Sequence, residues 1–316
     1  MQLDRSLVVM LALFALLLIA PFALPLIGQG YLTSLLIKAM LLAIAAISLD
    51  LLVGQGGMLS LGHAAFIAIG AYTTAIGLES GIEDILVLTA LSLLVAGLYG
   101  LVTGMLALRT SGVYFLMITL AFGQMSYFTL TSLAYYGGDD GLTLWTLATL
   151  FGTDVVQNYG QLYFVILGVL FLCWAGVHQL SGSRFGRVLR GARDNPERAE
   201  IMGYSVYRFR LVAYVIAGLI AALSGVLTVQ YAEFVSPELS SWHRSADLLV
   251  VVVIGGLATR NGALLGAFCV VILEEVLASF LHEWRLVYGP MLVLFALFAK
   301  GGISHLLFPA RKGAPS

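Results

Sequence analysis

Apolar residues in this chain come in long, unbroken runs instead of the short alternations of a soluble core. A helix that crosses a bilayer needs about 20 predominantly apolar residues. Eight runs reach that scale: 7–27, 32–53, 58–78, 85–108, 113–134, 161–180, 211–232 and 262–281. Two shorter runs, 246–258 and 286–299, predict helices that are tilted, half-buried or re-entrant. The pattern predicts an all-α polytopic membrane protein with about 8–10 transmembrane helices, and residues 1–316 read as a single transmembrane domain. The first run has no small-x-small cleavage pattern and is expected to be a retained helix, not a removed signal peptide.

Composition agrees with the runs. Of 316 residues, 60% are hydrophobic and only 10% are charged, against about 25% charged in soluble domains. Cys173 and Cys269 both lie inside apolar runs, so neither a disulfide framework nor a metal site is expected from them.

The charges that remain are concentrated. Residues 181–210 hold seven arginines (184, 187, 190, 193, 198, 208 and 210) against Asp194, Glu197 and Glu200. If all ten candidates cross, both termini and this loop share one side. That side then carries every one of the 16 basic residues except Lys38, Arg244 and Arg285. The opposite loops carry Glu79, Glu83, Asp84, Asp139, Asp140, Asp154, Glu233, Glu238 and Glu283. Lys and Arg accumulate on cytoplasmic loops, so the N-terminus and the 181–210 loop are expected in the cytoplasm. A turn-back at 246–258 would change the parity of everything after it. The 135–160 loop, which has no Lys or Arg, is placed outside.

Positive-inside bias explains some of these arginines, and contact with anionic lipid would use more. Neither accounts for interleaved acids with helix signals. Asp194 is expected to cap a helix opening with Asn195 and Pro196, an early position that proline favours. Pro196–Met202 would then stop at Gly203. Ala199 and Met202 share one face, with Glu197 and Glu200 on its neighbour. A short amphipathic helix below the membrane suits insertion into a groove on a soluble protein partner.

Two glycine clusters interrupt the apolar pattern. Gly54, Gly56, Gly57 and Gly62 stand among Asp50, Gln55, Ser60 and His63. Non-helical backbone at membrane depth is tolerated only against protein or a water-filled cavity, and transporters use such broken helices to build a translocation path. Gln55, Gly56, Gly57, Ser60, Gly62 and His63 are therefore the candidate path residues; tight helix packing is the other reading, as for Gly97, Gly100 and Gly104. His63 alone reads as one side of an interhelical hydrogen bond. Residues 247–268 echo the first cluster: Asp247 opens a second Asp-Leu-Leu-Val before Gly255–Gly256 and Gly262. Lys38, Asp50, Asp247, Glu274 and Glu275 lie within or at the ends of apolar runs. Ion coupling is one reading of them; snorkelling and interhelical pairing is the other. The second is favoured because no chain of Asp, Glu and His runs across several helices, and because adjacent Glu274 and Glu275 cannot both point inward.

Taken together, several segments resemble one known family. Gln-Gly-Gly-x-Leu-Ser-Leu-Gly-His-Ala-Ala-Phe-x-x-x-Gly-Ala-Tyr at 55–72 is similar to the signature of LivM-type permeases, the membrane subunits of ABC importers for branched-chain amino acids. Matches continue in order at 112–124, 137–142, 185–195, 198–203, 234–238 and 253–262, covering nearly the whole chain. The resemblance implies that 181–210 is a cytoplasmic coupling loop within one permease domain, and that Glu197–Gly203 is the coupling helix seated in a cleft of an ATPase. Glu197, Ala199 and Gly203 match the family's coupling motif; Arg198 replaces its middle alanine, and the Ile-x-Leu-Pro ending is absent. Arg193, Asp194, Glu197, Arg198, Ala199, Glu200 and Gly203 are thus the candidate coupling residues. No GxxxxGK[ST] loop occurs, so this chain is expected not to be an enzyme and to bind no cofactor. ATP with Mg would be used by a separate ATPase. The implied partners are cytoplasmic ABC ATPase subunits, a second, LivH-like permease, an external or periplasmic substrate-binding protein and membrane lipid, with no nucleic acid. The implied location is the bacterial inner membrane. A urea or short-amide ABC permease and an ion-coupled secondary transporter are the alternatives.

Overall fold

A computed structural model describes residues 5–26, 30–259, 261–280, 286–292 and 301–307. The chain is built from helices: α1 (Arg5–Leu26), α2 (Gly30–Asp50, continued by a π-helical turn Leu51–Gln55), α3 (Ala64–Glu79), α4 (Ile85–Ala107) and α5 (Val113–Ser132). After a long connection come α6 (Tyr159–Gly182), α7 (Arg184–Asp194), α8 (Pro196–Ile201), α9 (Val206–Ala232), α10 (Trp242–Gly255) and α11 (Gly262–Phe280). Among the described residues, six helices are long and apolar enough to span a membrane: Gly30–Gln55, α4, α5, α6, α9 and α11. The protein is an all-α multi-pass membrane protein, as the apolar runs predict.

α2, α3 and α9 form the centre. The α2 span from Gly30 to Gln55 is far more buried than α4 or α5, whose apolar residues, such as Leu94, Leu98, Val113 and Phe128, face outward. That outward apolar surface is what lipid or another membrane chain would cover. α3 and α9 cross at almost backbone contact: a Cβ on Gly70 would collide with the carbonyl of Ala222, and one on Gly225 with that of Ile67. Small residues at such crossings let membrane helices gain dispersion contacts. Gly100 and Gly104 serve the same packing role, against the rings of Phe66 and Tyr214. Phe66 is buried and meets Tyr99 and Tyr214 edge-on. α1 packs on α2 and α6, where the Tyr163 hydroxyl donates to the Leu17 carbonyl at 2.7 Å.

The end opposite the arginines is closed by the connection between α5 and α6. Its β1 (Leu142–Thr143) pairs antiparallel with β2 (Phe234–Val235), Leu142 opposite Val235. It is also stitched to the α3–α4 turn, where Thr149 donates to the Glu83 carbonyl and accepts from Ile85. The Ala148 amide donates to buried Gln230 on α9.

Two expected spans take a different form. Residues 58–78 are not one helix: 56–63 is non-helical, and α3 starts only at Ala64. The candidate at 246–258 begins earlier, at Trp242, and ends at Gly255. The candidate at 286–299 falls only partly within the described residues, of which 286–292 are helical. Arg260, Arg285, Lys300, Arg311, Lys312 and Glu283, used to orient the chain, lie outside the described residues.

Candidate functional site

The arginine-rich segment forms two helices set at the end of α6. Ser183 caps α7, its hydroxyl accepting from Gly186. Arginines at 184, 187, 190 and 193 repeat every three residues, which puts neighbours on one side of a helix. The inner members of this set reach into the transmembrane body. Arg190 Nη1 donates to Gln55 Oε1 at 2.7 Å and to the Ser181 carbonyl at 2.9 Å. Arg193 Nη1 donates to the Gly54 carbonyl at 2.6 Å. Arg210, at the start of α9, donates to the Ala192 carbonyl at 3.1 Å and so ties α9 to α7.

Gly54 and Gln55 can receive these arginines because α2 ends abnormally. The π-helical turn gives way at Gly56, and the Leu52 carbonyl accepts from both Gly56 and Met58. Gly57 has φ +66°, a left-handed conformation open to glycine at little cost. Carbonyls at a helix end lack intrahelical partners, and a guanidinium supplies a charge-assisted donor. On its other side the break is held by the segment after α10: Asp50 Oδ1 accepts from the Ala258 amide at 3.2 Å. A Cβ on Gly54 would lie 2.6 Å from that nitrogen. The two echoing Gly–Gly breaks therefore sit side by side. The pairing reading holds for Asp50.

α8 hangs below this clasp. Its cap corrects the sequence expectation: Asn195, not Asp194, holds the helix start, Oδ1 accepting from Arg198 at 2.9 Å. Proline disfavours a helical backbone in the residue before it. Asn195 is accordingly extended (φ −154°) and becomes the cap, while Asp194 closes α7 and pairs with Arg193 at 3.0 Å. Gly203 stops the helix as expected, with φ +87° and its amide on the Glu200 carbonyl. Ala199 is buried beside Ala192 and Val206. Glu197, Arg198 and Glu200 are exposed, and so are Ile201 (87%) and Met202 (64%). A groove of about 790 Å³ runs between α7, α8 and the start of α9, lined by the apolar Phe185, Val188, Met202 and Phe209 and by Arg184, Arg187 and Arg198.

Above the clasp, 56–63 climbs through the protein interior, so its backbone needs partners there. Leu61 N donates to Thr119 Oγ1 at 3.3 Å, and Ala64 N to Ser245 Oγ at 3.0 Å. Gly62 passes so close to α5 that a Cβ would strike the Thr119 carbonyl. His63 is fully buried, with Nε2 2.7 Å from Ser48 Oγ, the interhelical bond expected of it. Gln55 and Ser60 are buried as well, and Gly57 is exposed at the arginine end. α10 begins beside this point, after a short 3-10 turn, Pro237–Ser240, that packs on α3 and α5.

The remaining membrane charges gather elsewhere. Lys38, Asp247, Glu274 and Glu275 all border one cleft between α2, α9, α10 and α11, together with Arg244. Glu274 and Glu275 stand about 100° apart on α11 and both border the cleft, Glu275 also accepting from the Tyr31 hydroxyl at 3.0 Å.

Arg190 and Arg210 carry contacts that the sequence reading did not single out. The three-residue arginine period was the available signal for Arg190. Nothing local distinguishes Arg210 from Arg208, since the difference is made by which side of α9 meets α7.

The comparisons with known proteins bear on what this assembly serves. The LivM permease of Escherichia coli K12, named as a high-affinity branched-chain amino acid transport system permease, is 28% identical over 86% of this chain and 70% of its own length. The same protein of Salmonella typhimurium LT2 gives the same identity and coverage. The fructose import permease FruG of Bifidobacterium longum is 27% identical over 95% of this chain and 94% of its own length. No solved structure matches. The family model described as branched-chain amino acid transport system, permease component, matches residues 31–297. That span takes in the broken crossings, the arginine clasp and the cleft, and the chain belongs to that family of permease components.

Proposed function

We propose that this chain is one permease subunit of an ATP-driven ABC importer for branched-chain amino acids: leucine, isoleucine and valine. The observation that carries the mechanism is the arginine clasp, in which Arg190 and Arg193 of α7 hold the broken end of α2 at Gln55 and Gly54. α8 and its groove offer exposed Ile201 and Met202 among charges, a surface suited to a cleft in a cytoplasmic ATPase. Closure of an ATPase dimer around bound ATP and Mg would move α7–α8 as a unit. The clasp would pass that displacement to α2 and to the 56–63 segment, alternating access across the membrane. Arg193, Asp194, Glu197, Arg198, Ala199, Glu200 and Gly203 act in coupling on this reading, and Gln55, Gly56, Gly57, Ser60, Gly62 and His63 move with the path.

The complex would further contain a second, LivH-like permease and an external binding protein that captures substrate. The arginine end lies in the cytoplasm of a bacterial cell whose inner membrane holds the bundle. The LivM relatives support branched-chain substrates, and the fructose permease relative sets the competing sugar arm of the test. Uptake of labelled leucine and of labelled fructose is measured with the complete transporter in vesicles. Leucine uptake that needs ATP supports the reading; fructose uptake without leucine uptake overturns it. Glu197→Lys combined with Gly203→Pro is expected to abolish ATPase association while the chain still inserts. Retained association would sink the coupling role of α8.

A further inference from the structure

The cleft between α2, α9, α10 and α11 has a volume of about 500 Å³, within the roughly 300–1,000 Å³ of small-molecule sites. It is bordered by the first turns of α2, the last turns of α9 and the outer half of α11, so it opens toward the end opposite the arginines. Its wall has two chemistries. Leu41, Ile67, Leu248, Val251 and Val271 give an aliphatic lining. Charges of both signs stand beside it: Lys38 on α2, Arg244 and Asp247 three apart on α10, and Glu274 with Glu275 on α11.

Lys38, Arg244 and Asp247 are exposed; Lys38 and Asp247 lie within helices of the bundle and Arg244 in the first turn of α10. A charge at such a position is costly against lipid and faces water or a cavity instead. The Lys38 ammonium and the Arg244 guanidinium form no ion pair with a carboxylate of the described residues. The α9 hydroxyls bordering the cleft donate to backbone: Ser224 to the Leu41 carbonyl at 2.8 Å and Thr228 to that of Ser224 at 2.7 Å. Both donors are thus committed, and these hydroxyl oxygens are left as acceptors.

We propose that this cleft binds one aliphatic α-amino acid as a zwitterion. Arg244 and Lys38 take the carboxylate, the Asp247 and Glu274 side take the ammonium, and the aliphatic lining takes the side chain. Charge-assisted hydrogen bonds fix the head group, and the apolar wall selects Leu, Ile and Val by burial. The inference rests on the branched-chain reading and deepens it: this permease itself recognises its substrate, in addition to any selection outside.

The test uses the complete transporter in lipid nanodiscs, with Ala278→Cys at the exposed edge of the cleft in a C173S/C269S background. The alkylation rate of the introduced thiol by a small maleimide is measured with and without leucine or fructose. Leucine is expected to slow it severalfold and fructose to leave it unchanged. Arg244→Gln is expected to raise the leucine concentration giving half-protection about tenfold or more, the loss of one charged hydrogen bond. Co-purification of the ATPases shows that this variant is assembled. Leucine uptake by the unmodified transporter without protection of the Ala278→Cys thiol, or protection that Arg244→Gln leaves intact, overturns the site while the import reading stands. Equal protection by fructose overturns the zwitterion assignment. Absence of leucine uptake by the unmodified transporter overturns the import reading and the inference with it.

Discussion

On the proposed coupling, Arg193 is the residue whose loss would tell most directly, because it joins two segments 139 positions apart through the Gly54 carbonyl. Hydrogen bonds to charged groups contribute about 1.5–3 kcal/mol. Arg193→Ala is therefore expected to lower leucine uptake about tenfold or more while ATP hydrolysis by the assembled complex continues. Simultaneous measurement of uptake and phosphate release checks this; equal loss of both would mean that the clasp is needed for assembly, not transmission. Arg193→Lys should restore part of the uptake, since one ammonium can still reach one carbonyl. The break at the 54–63 glycines was legible in the sequence, because glycines and polar groups inside an apolar run have few explanations. Their partners were not. Gly62 faces the Thr119 carbonyl and His63 faces Ser48, and both contacts depend on how α5 and α2 lie against the broken segment.

At the scale of one element, α8 shows how a proline moves a helix start by one residue. The sequence marked a helix over Pro196–Met202 stopping at Gly203, and the structure has one over Pro196–Ile201. The assignment of the cap to Asp194 failed because Pro196 forces its predecessor into extended backbone, and that predecessor is Asn195. Asn195→Ala should destabilise the helix by about 1 kcal/mol, and Asp194→Ala should leave the cap intact. Hydrogen exchange at the Arg198 amide distinguishes the two: faster exchange is expected in the first variant only. A faster rate in Asp194→Ala alone would return the cap to Asp194. α3 and α10 carry the companion lesson. Each was expected as an ordinary or shortened span; α3 is the helical part of a crossing whose other part, 56–63, is non-helical, and α10 is reached through the 3-10 turn Pro237–Ser240. Hydropathy responds to composition, and the 56–63 stretch keeps apolar side chains while the Leu61 amide bonds to Thr119 and the first amide of α3, Ala64, to Ser245.

For the whole molecule, orientation follows from charge on the connections. Arg187→Cys and Asp139→Cys are made separately in a chain whose two native cysteines are replaced by serine. A membrane-impermeant maleimide added outside intact cells should label the Asp139→Cys variant and spare the Arg187→Cys variant. The reverse result would invert the bundle and overturn the ATPase-facing role proposed for α7–α8. The sequence by itself determined that the chain is a helical membrane protein, which segments are apolar enough to cross, and that one basic, helix-forming loop serves one side. Those properties are sums over neighbouring residues: transfer free energy along a run, arginine spacing within a loop, glycine before a turn. Tertiary structure alone decided that Arg190 and Arg193 clasp the end of α2, that the two Gly–Gly breaks lie together, and that Lys38, Arg244, Asp247 and two glutamates surround one cleft. Those groups come from helices far apart in the chain, and only the packing of small residues, as at Gly70 and Gly225, fixes how closely and at what angle such helices meet.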